Sequence, residues 1–284
     1  MLKLRILALL VLLVIMAGIG SYLLQNPAIM SDKSGLILTS FFRSRKDPQV
    51  HMFPVNRSIE VYCEPFFSQA RDAGLSIVVF VDQLGEDDQR FFKKHGAEAV
   101  LVELFQDRSL NDERFRVYHK YLEDKTVLPD YLLFMDVSDI QIFGNPFREM
   151  DKYPKFSLFI QPEGKGAACT VMAEKFQLCG LPNDYKWLRK SCKLWNAGIW
   201  GGHTHAAMKA LKKMVDILYK DPRLNHRENC NMPVVNHVLH AADTSKIYSE
   251  EGWLFSPFKK CTPKGKHILY HKALCDEKGN LLKA

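Results

Sequence analysis

Short apolar runs alternate with charged, amphipathic stretches over the first half of the chain. The apolar runs are bounded by turn residues and predict strands at residues 36–39, 76–81, 99–105 and 131–135. The charged stretches carry a few apolar residues each and predict helices at residues 86–95 and 111–124. We expect Gly96 to end the first helix and Asn111 to cap the second. The order β-α-β-α-β is typical of a parallel, doubly wound sheet of the Rossmann type.

One domain accounts for most of the chain. Residues 36–284 show no shift in composition, internal repeat or low-complexity segment that would divide them. That length is large for a single core but ordinary for an open α/β sheet. We therefore expect a mixed, mostly parallel α/β sheet flanked by helices.

An uninterrupted apolar segment spans residues 6–24. At ~1.5 Å of rise per residue, roughly twenty such residues cross the hydrocarbon core of a bilayer. A cleaved signal peptide has a shorter apolar core and a small-residue exit, whereas here Tyr22, Leu23 and Leu24 follow the small residues. The pattern favours one transmembrane helix that acts as an uncleaved signal-anchor, and cleavage is the alternative.

The charges around this segment indicate its orientation. Lys3 and Arg5 precede it, and no basic cluster follows it directly. Because positive charge is retained on the cytosolic side of a membrane, the N-terminus is expected there. The predicted parts are a cytosolic tail at 1–5, a signal-anchor at 6–24, a stem at 25–35 and a lumenal domain at 36–284.

Two sequence features agree with a lumenal domain. Asn56-Arg57-Ser58 is a glycosylation sequon, which makes Asn56 a candidate modification site. The chain has seven cysteines, which are candidate disulfide partners in an oxidising lumen. Because seven is odd, at least one thiol is free or bonded to another chain.

The overall composition narrows the possible partners. The chain has 284 residues, of which 47% are hydrophobic and 25% charged, with a formal charge of +7. This hydrophobic share supports a packed core and excludes a disordered or collagen-like chain. No block of Lys and Arg with interleaved aromatic residues occurs, so we expect no nucleic-acid partner.

Two aspartates follow the apolar strand predicted at 131–135. Asp136 and Asp139 emerge at its carboxyl end, the edge at which open α/β sheets bind their ligands. Carboxylates there can hold Mg²⁺ or Mn²⁺, which share oxygen ligands with a diphosphate. The alternative is a turn in which Asp136 is a cap and Asp139 is solvated.

Residues 134–147, FMDVSDIQIFGNPF, resemble a segment of the nucleotide-diphospho-sugar transferases of GT-A fold. In that family an Asp-x-Asp or Asp-x-x-Asp element precedes a short strand and then Asn/Asp-Pro-Phe. Similar later motifs occur in the family's order: FIQPEG at 159–164, WNAGIWGG at 195–202, a helix at 231–240 and ILYH at 268–271. The chain departs from the pattern at Ser138, where an alignment on Asp136 has Asp, and at Asn231-Met232, where the family has Asp-Gln.

The resemblance implies a role for each candidate site residue. Asp136 and Asp139 would bind the nucleotide-sugar donor and, with His271, would hold Mn²⁺ or Mg²⁺. Glu163 and Asn196 would act in catalysis. Further substrate contacts would come from Gln161, Gly201, Gly202 and Asn236.

The combined interpretation is a single-pass type II membrane glycosyltransferase of the endoplasmic reticulum or Golgi. It would move a sugar from a nucleotide-diphosphate donor to a glycan, protein or lipid acceptor. Two other hypotheses remain at this point. One is a haloacid-dehalogenase-like phosphatase, in which an apolar strand also ends in Asp. The other is a catalytically inactive lumenal protein that binds sugars or acts as a scaffold.

The orientation can be tested by protease protection. We expect protease added to intact microsomes to spare the region after Ser31, because Lys3 and Arg5 keep the N-terminus in the cytosol. Microsomes opened with detergent are the control, and there the region is digested. Digestion in intact microsomes would contradict a lumenal domain.

If the sequon is used, a glycosidase-sensitive mass shift of the wild-type protein disappears in Asn56→Gln.

Overall fold

A seven-stranded sheet and a separate two-stranded sheet hold the strands of the described residues. The computed structural model describes residues 33–45, 59–137, 139–163, 167–181, 193–225, 228–257 and 266–271. The strands are β1 (Gly35–Phe41), β2 (Ser76–Val81), β3 (Glu98–Leu101), β4 (Tyr131–Met135), β5 (Ile140–Ile142), β6 (Leu158–Pro162), β7 (Trp195–His203), β8 (Ile247–Tyr248) and β9 (Leu269–His271).

Seven α-helices lie within these described ranges, and a short 3₁₀ helix at Thr244–Lys246 precedes β8. The α-helices are α1 (Ile59–Asp72), α2 (Glu86–Lys94), α3 (Leu110–Glu123), α4 (Pro146–Asp151), α5 (Ala167–Leu178), α6 (Thr204–Lys220) and α7 (Asn231–His240).

The large sheet has the strand order β3-β2-β1-β4-β7-β6-β8. Strands β1 to β4 are parallel to one another, β7 is antiparallel to both β4 and β6, and β8 is parallel to β6. The small sheet pairs β5 with β9 in antiparallel fashion. The expectation of a mixed, mostly parallel α/β sheet flanked by helices is thus confirmed.

Strand β4 lies at the centre of the large sheet and is buried on both faces. Leu132 and Phe134 pack with residues of α3, α6 and α7, whereas Tyr131, Leu133 and Met135 pack with residues of α1 and α2. Side chains that alternate along a strand point to opposite faces, so two apolar layers meet at β4. This explains why its sequence is apolar throughout, and the strand predicted at 131–135 is confirmed.

Strand β3 is shorter than the strand predicted at 99–105. Its last register pair joins Leu101 to Val81, which is the final residue of β2. Beyond Val81 the sheet offers no further partner, and one more main-chain bond, from Val102 N to Val81 O (2.8 Å), ends the pairing. The apolar residues that follow were therefore wrongly assigned to the strand; of these, Leu104 is buried in the core.

The helix caps agree with the prediction at one site and correct it at another. Gly96 follows α2 with a φ of 68°, a left-handed conformation that glycine adopts without strain. Asn111, however, is not the cap of α3. The helix begins at Leu110, and the side chain of Ser109 accepts a hydrogen bond from the Asn111 N–H.

One disulfide lies within the described residues and ties the end of α5 to the start of α7. It joins Cys179 and Cys230. Cys63 on α1 is a buried free thiol, and its burial raises the pKa of the thiol. The side chains of the other four cysteines lie outside the described part of the chain.

The predictions made for the N-terminal region fall outside the described residues. These comprise the cytosolic tail, the signal-anchor at 6–24, most of the stem and the sequon at Asn56. Among the helices that the structure does describe, none combines the length and the apolar character needed to span a bilayer.

Two glycines let β7 approach both of its neighbours closely. A Cβ atom on Gly201 would lie 2.1 Å from the carbonyl oxygen of Leu132 in β4. A Cβ on Gly202 would lie 2.2 Å from the carbonyl oxygen of Ser157, next to β6, and the φ of Gly202 is +148°. Both glycines were assigned to substrate binding, and the structure places them in the buried interior of the sheet.

We expect Gly201→Ala to lower the free energy of unfolding by about 3 kcal/mol or more, because the added methyl group meets rigid backbone on β4. Gly85→Ala is the control, since its Cβ would lie 3.7 Å from a carboxylate oxygen of Asp88, which is ordinary van der Waals contact. That change should shift stability by less than about 1 kcal/mol. Urea unfolding of the full-length protein measures both, and equal effects would contradict the packing described for β7.

Candidate metal centre

Three side chains from distant parts of the sequence meet at the carboxyl end of β4. Asp136, Asp139 and His271 each offer one ligand atom, and these atoms all lie within 4.8 Å of one another. The Nε2 atom of His271 is 3.5 Å from Asp139 Oδ1 and 3.8 Å from Asp136 Oδ2. This group could hold a metal ion. The proximity of His271 to both aspartates, expected from the family resemblance, is confirmed.

Strand pairing produces this convergence. Asp136 directly follows β4, and its N–H donates to the carbonyl of Gly198 in β7 at 2.8 Å. Asp139 directly precedes β5, whose first residue, Ile140, is paired with His271 in β9. The chain therefore returns after more than a hundred residues to place an imidazole beside the two carboxylates.

A buried amide fixes the orientation of the His271 ring. The imidazole is fully buried, and its Nδ1 lies 2.5 Å from Gln161 Oε1. The Nε2 group of Gln161 donates to the carbonyl of Ser256 at 3.2 Å, which leaves Oε1 as the atom that faces the ring. Because Oε1 only accepts, Nδ1 carries a proton, and Nε2 is the ring nitrogen that points toward the carboxylates.

Arg114 on α3 holds one oxygen of Asp136. Its Nη1 contacts Asp136 Oδ1, and its Nη2 donates to the carbonyl of Ala197 at 3.2 Å. Burial alone would lower the pKa of this guanidinium, but the Asp136 carboxylate outweighs that effect and raises the pKa above its usual value. The arginine thus stays charged, and Asp136 Oδ2 is the oxygen left facing His271.

The sequence analysis did not identify Arg114. A signal was present, because Leu110, Arg114, Tyr118 and Leu122 recur every four residues along one face of α3. The structure buries all four. A charged residue within an apolar helical face indicates a buried ion pair, and this could have singled out Arg114.

Asp112, two residues before Arg114, connects α3 to the start of α7. Its Oδ2 accepts a hydrogen bond from the N–H of Cys230 at 3.2 Å. Burial raises the pKa of this carboxyl group to about 7. Helix α3 therefore contacts the candidate metal centre through one side chain and the disulfide-linked end of α7 through another.

Gly198 allows the three ligands to come this close. A Cβ atom at this position would lie 2.5 Å from both Asp136 Oδ2 and the Cε1 atom of His271. It would also lie 2.8 Å from Asn196 Oδ1. Any side chain here would displace a member of the group, so the glycine is required by the site.

The two residues expected to act in catalysis contact each other next to this group. Asn196 donates from Nδ2 to the carboxylate of Glu163, and its Oδ1 accepts from the N–H of Gly198 at 2.6 Å. Asn196 is buried, whereas Glu163 is partly exposed. Two hydrogen bonds through the Asn196 side chain therefore link the Glu163 carboxylate to Gly198, which lies next to the metal ligands.

The structure places two expected substrate-binding residues behind the site. Asn236 is fully buried, and its amide bonds the N–H and carbonyl of Trp195 (2.9 Å each) and the carbonyl of Met232 (3.0 Å). It joins α7 to β7 through main-chain groups. Gln161 is also fully buried and supports His271, as described above.

Comparisons with known proteins add no assignment. No protein-family model matches the chain, and no curated protein matches it. The functional argument therefore depends on the geometry of the site and on the motifs quoted from the sequence.

We expect Gln161→Leu to raise the Kd for Mn²⁺ by about 10- to 100-fold, because a ligand histidine loses its orienting partner. Gln177→Leu, the same change at an exposed position of α5, is the control and should leave the Kd unchanged. Titration of the full-length protein with Mn²⁺, followed by the electron paramagnetic resonance signal of free Mn²⁺, measures both. An unaltered Kd in a folded Gln161→Leu protein would contradict the orienting role of Gln161.

Proposed function

We propose that the chain is a divalent-metal-dependent glycosyltransferase that moves a sugar from a nucleotide-diphosphate donor to a hydroxyl of a glycan, protein or lipid. The observation that carries this proposal is the meeting of Asp136, Asp139 and His271 at the end of the central strand. Those are the residues that the GT-A resemblance selects as metal ligands. The mixed sheet is compatible with that fold.

The chemistry of the three ligands suits Mn²⁺. Carboxylate oxygens are ligands for both Mn²⁺ and Mg²⁺, whereas an imidazole nitrogen is a poorer ligand for Mg²⁺. The carboxylates of Asp136 and Asp139 are 29% and 28% exposed, so the open side of the group faces solvent. When bound, such a cation neutralises the charge that develops on a departing diphosphate.

Arg114 would organise the donor side of the site. It holds the Asp136 carboxylate in one orientation before any ligand arrives, so little reorganisation is needed on binding. Two carboxylates against one guanidinium leave the cluster with one formal negative charge. A divalent cation would reverse that sign, which favours an anionic diphosphate.

Glu163 is the residue we assign to the acceptor hydroxyl. Its carboxylate is partly exposed and is held by the buried amide of Asn196. A carboxylate fixed in this way can accept the proton of an attacking hydroxyl. In this role Asn196 is a positioning residue, because it acts through Glu163 and the Gly198 main chain.

The disulfide supports placement of this domain in the lumen of the secretory pathway. Disulfides form and persist in oxidising compartments, and Cys179–Cys230 is formed here. Together with the apolar segment at 6–24, this leads us to propose a single-pass type II protein of the endoplasmic reticulum or Golgi membrane.

The geometry favours a transferase over a haloacid-dehalogenase-like phosphatase. A phosphatase of that type would need a carboxylate oxygen of Asp136 as its nucleophile. Here one oxygen contacts Arg114, and the other faces an oriented imidazole nitrogen. An inactive sugar-binding protein would share the fold but not the dependence of turnover on the metal.

We expect Asp139→Asn to reduce turnover of the sugar donor by about 100-fold or more while the fold persists, because the change removes a charge that the cation needs. Release of nucleoside diphosphate from a panel of nucleotide sugars, with Mn²⁺ or with a chelator, measures the effect. Asp124→Asn, at the exposed end of α3, is the matched control and should turn over normally.

Each alternative gives a different result in that assay. Turnover by wild type that is unaffected by the chelator would contradict the metal-dependent mechanism. Absence of turnover with every donor, despite Mn²⁺ binding, would favour the inactive sugar-binding protein. Release of phosphate from phosphomonoesters instead of nucleoside diphosphate would favour the phosphatase.

A further inference from the structure

A groove lies on the large sheet at the end opposite the candidate metal centre. It has a volume of about 400 Å³ and is formed by α6, the end of α7, the 3₁₀ helix and the starts of β6 and β8. Leu158 in its wall pairs with Gly202, which also pairs with Leu132 near the amino end of β4. The metal ligands follow the carboxyl end of that strand, so the groove is a separate site.

The floor of this groove is aliphatic. It is built from side chains that belong to the core beneath it, namely Leu158, Ala210, Val238, Leu239 and Ile247. Sites for small organic ligands typically have volumes of roughly 300–1,000 Å³ and a predominantly apolar lining. The groove meets both conditions.

The rim of the groove is cationic. Lys209 and Lys213 lie one turn apart on α6, and Lys246 lies on the 3₁₀ helix; all three are exposed and line the groove. Asp243 is the carboxylate among the lining residues. Its Oδ1 accepts hydrogen bonds from the N–H and hydroxyl of Ser245, which directs it into its own turn.

We propose that this groove binds a single-chain anionic amphiphile, such as a long-chain carboxylate. The alkyl chain would occupy the aliphatic floor, and the head group would lie among the three lysines. An extended peptide fits less well, because its amide groups would need partners. Besides the three lysines, the lining offers three polar side chains, those of Ser157, His205 and Asp243, and the Ser157 hydroxyl lies 3.5 Å from the carbonyl of Lys246.

The proposal is independent of the glycosyltransferase assignment. It depends on the aliphatic floor and the lysine rim, and none of these residues contacts the metal ligands through any bond described above. Loss of metal binding would leave the groove unaltered.

Photolabelling with mass spectrometry tests the proposal on the full-length protein. The probe is a long-chain carboxylic acid with a diazirine in its alkyl chain, and the comparison probe is the corresponding alcohol. We expect the acid to label peptides that contain residues 204–213 and 238–247, and excess laurate to compete. The alcohol should label them about tenfold less, which corresponds to the loss of attraction to nearby cations.

Two variants and one control make the test specific. Lys209→Gln combined with Lys213→Gln should reduce labelling by the acid about tenfold, and Ala210→Trp should abolish it by filling the floor. Lys212→Gln is the control, because Lys212 lies on the same helix but pairs with Asp216 (3.1 Å) and does not line the groove.

Several outcomes would overturn the proposal. These are equal labelling by acid and alcohol, labelling confined to residues 6–24, or labelling that persists in the double lysine variant. Labelling of the groove by an acidic peptide probe, but not by the carboxylic acid, would assign it to a protein partner instead. If Ala210→Trp does not fold, the double lysine variant still decides the result.

Discussion

The antiparallel pairing of β5 with β9 is the contact on which the candidate metal centre depends. It covers three residue pairs, and one of them, Ile140 with His271, sets the imidazole beside the aspartates. Strand β9 is also held from its other side, because Leu269 exchanges main-chain hydrogen bonds of 2.9 Å with the segment 254–256. Main-chain pairing along both edges of β9 therefore sets the position of the His271 backbone.

The electrostatic design of the site follows from this placement. A buried imidazole approaches two partly exposed carboxylates, and a buried guanidinium balances one of them. Gln161 fixes the proton on the far side of the ring, while Gly198 leaves space for the ligands to meet. Gln161 and Gly198 lie on strands of the large sheet, and Arg114 lies on helix α3. Such regular elements are the rigid parts of an α/β fold.

Patterns of neighbouring residues in the sequence predicted the parts of the fold that are set by contacts between residues close in sequence. The buried strand before Asp136 and the glycine after α2 were both correct, because burial on two faces and a left-handed turn leave clear signals. The cap of α3 was misplaced by two residues, since Ser109 and Asn111 are both good capping residues and the sequence alone does not choose between them.

Long-range contacts were harder to predict from the sequence. His271 was found through a family resemblance. The apolar helical face around Arg114 indicated a buried ion pair but not its partner, Asp136, which lies on another element. Asn236 was given a substrate role, and its bonds to main-chain groups of β7 and α7 appear only in three dimensions.

The central claim is that one divalent cation is held by carboxylates and by the imidazole of His271. Electron spin-echo spectroscopy of the full-length protein loaded with one equivalent of Mn²⁺ tests it most directly, because a directly bonded nitrogen gives a ¹⁴N modulation that oxygen ligands do not. We predict this modulation in the wild-type protein and its loss in His271→Gln. Tightly bound Mn²⁺ without a ¹⁴N modulation in the wild type would contradict the account.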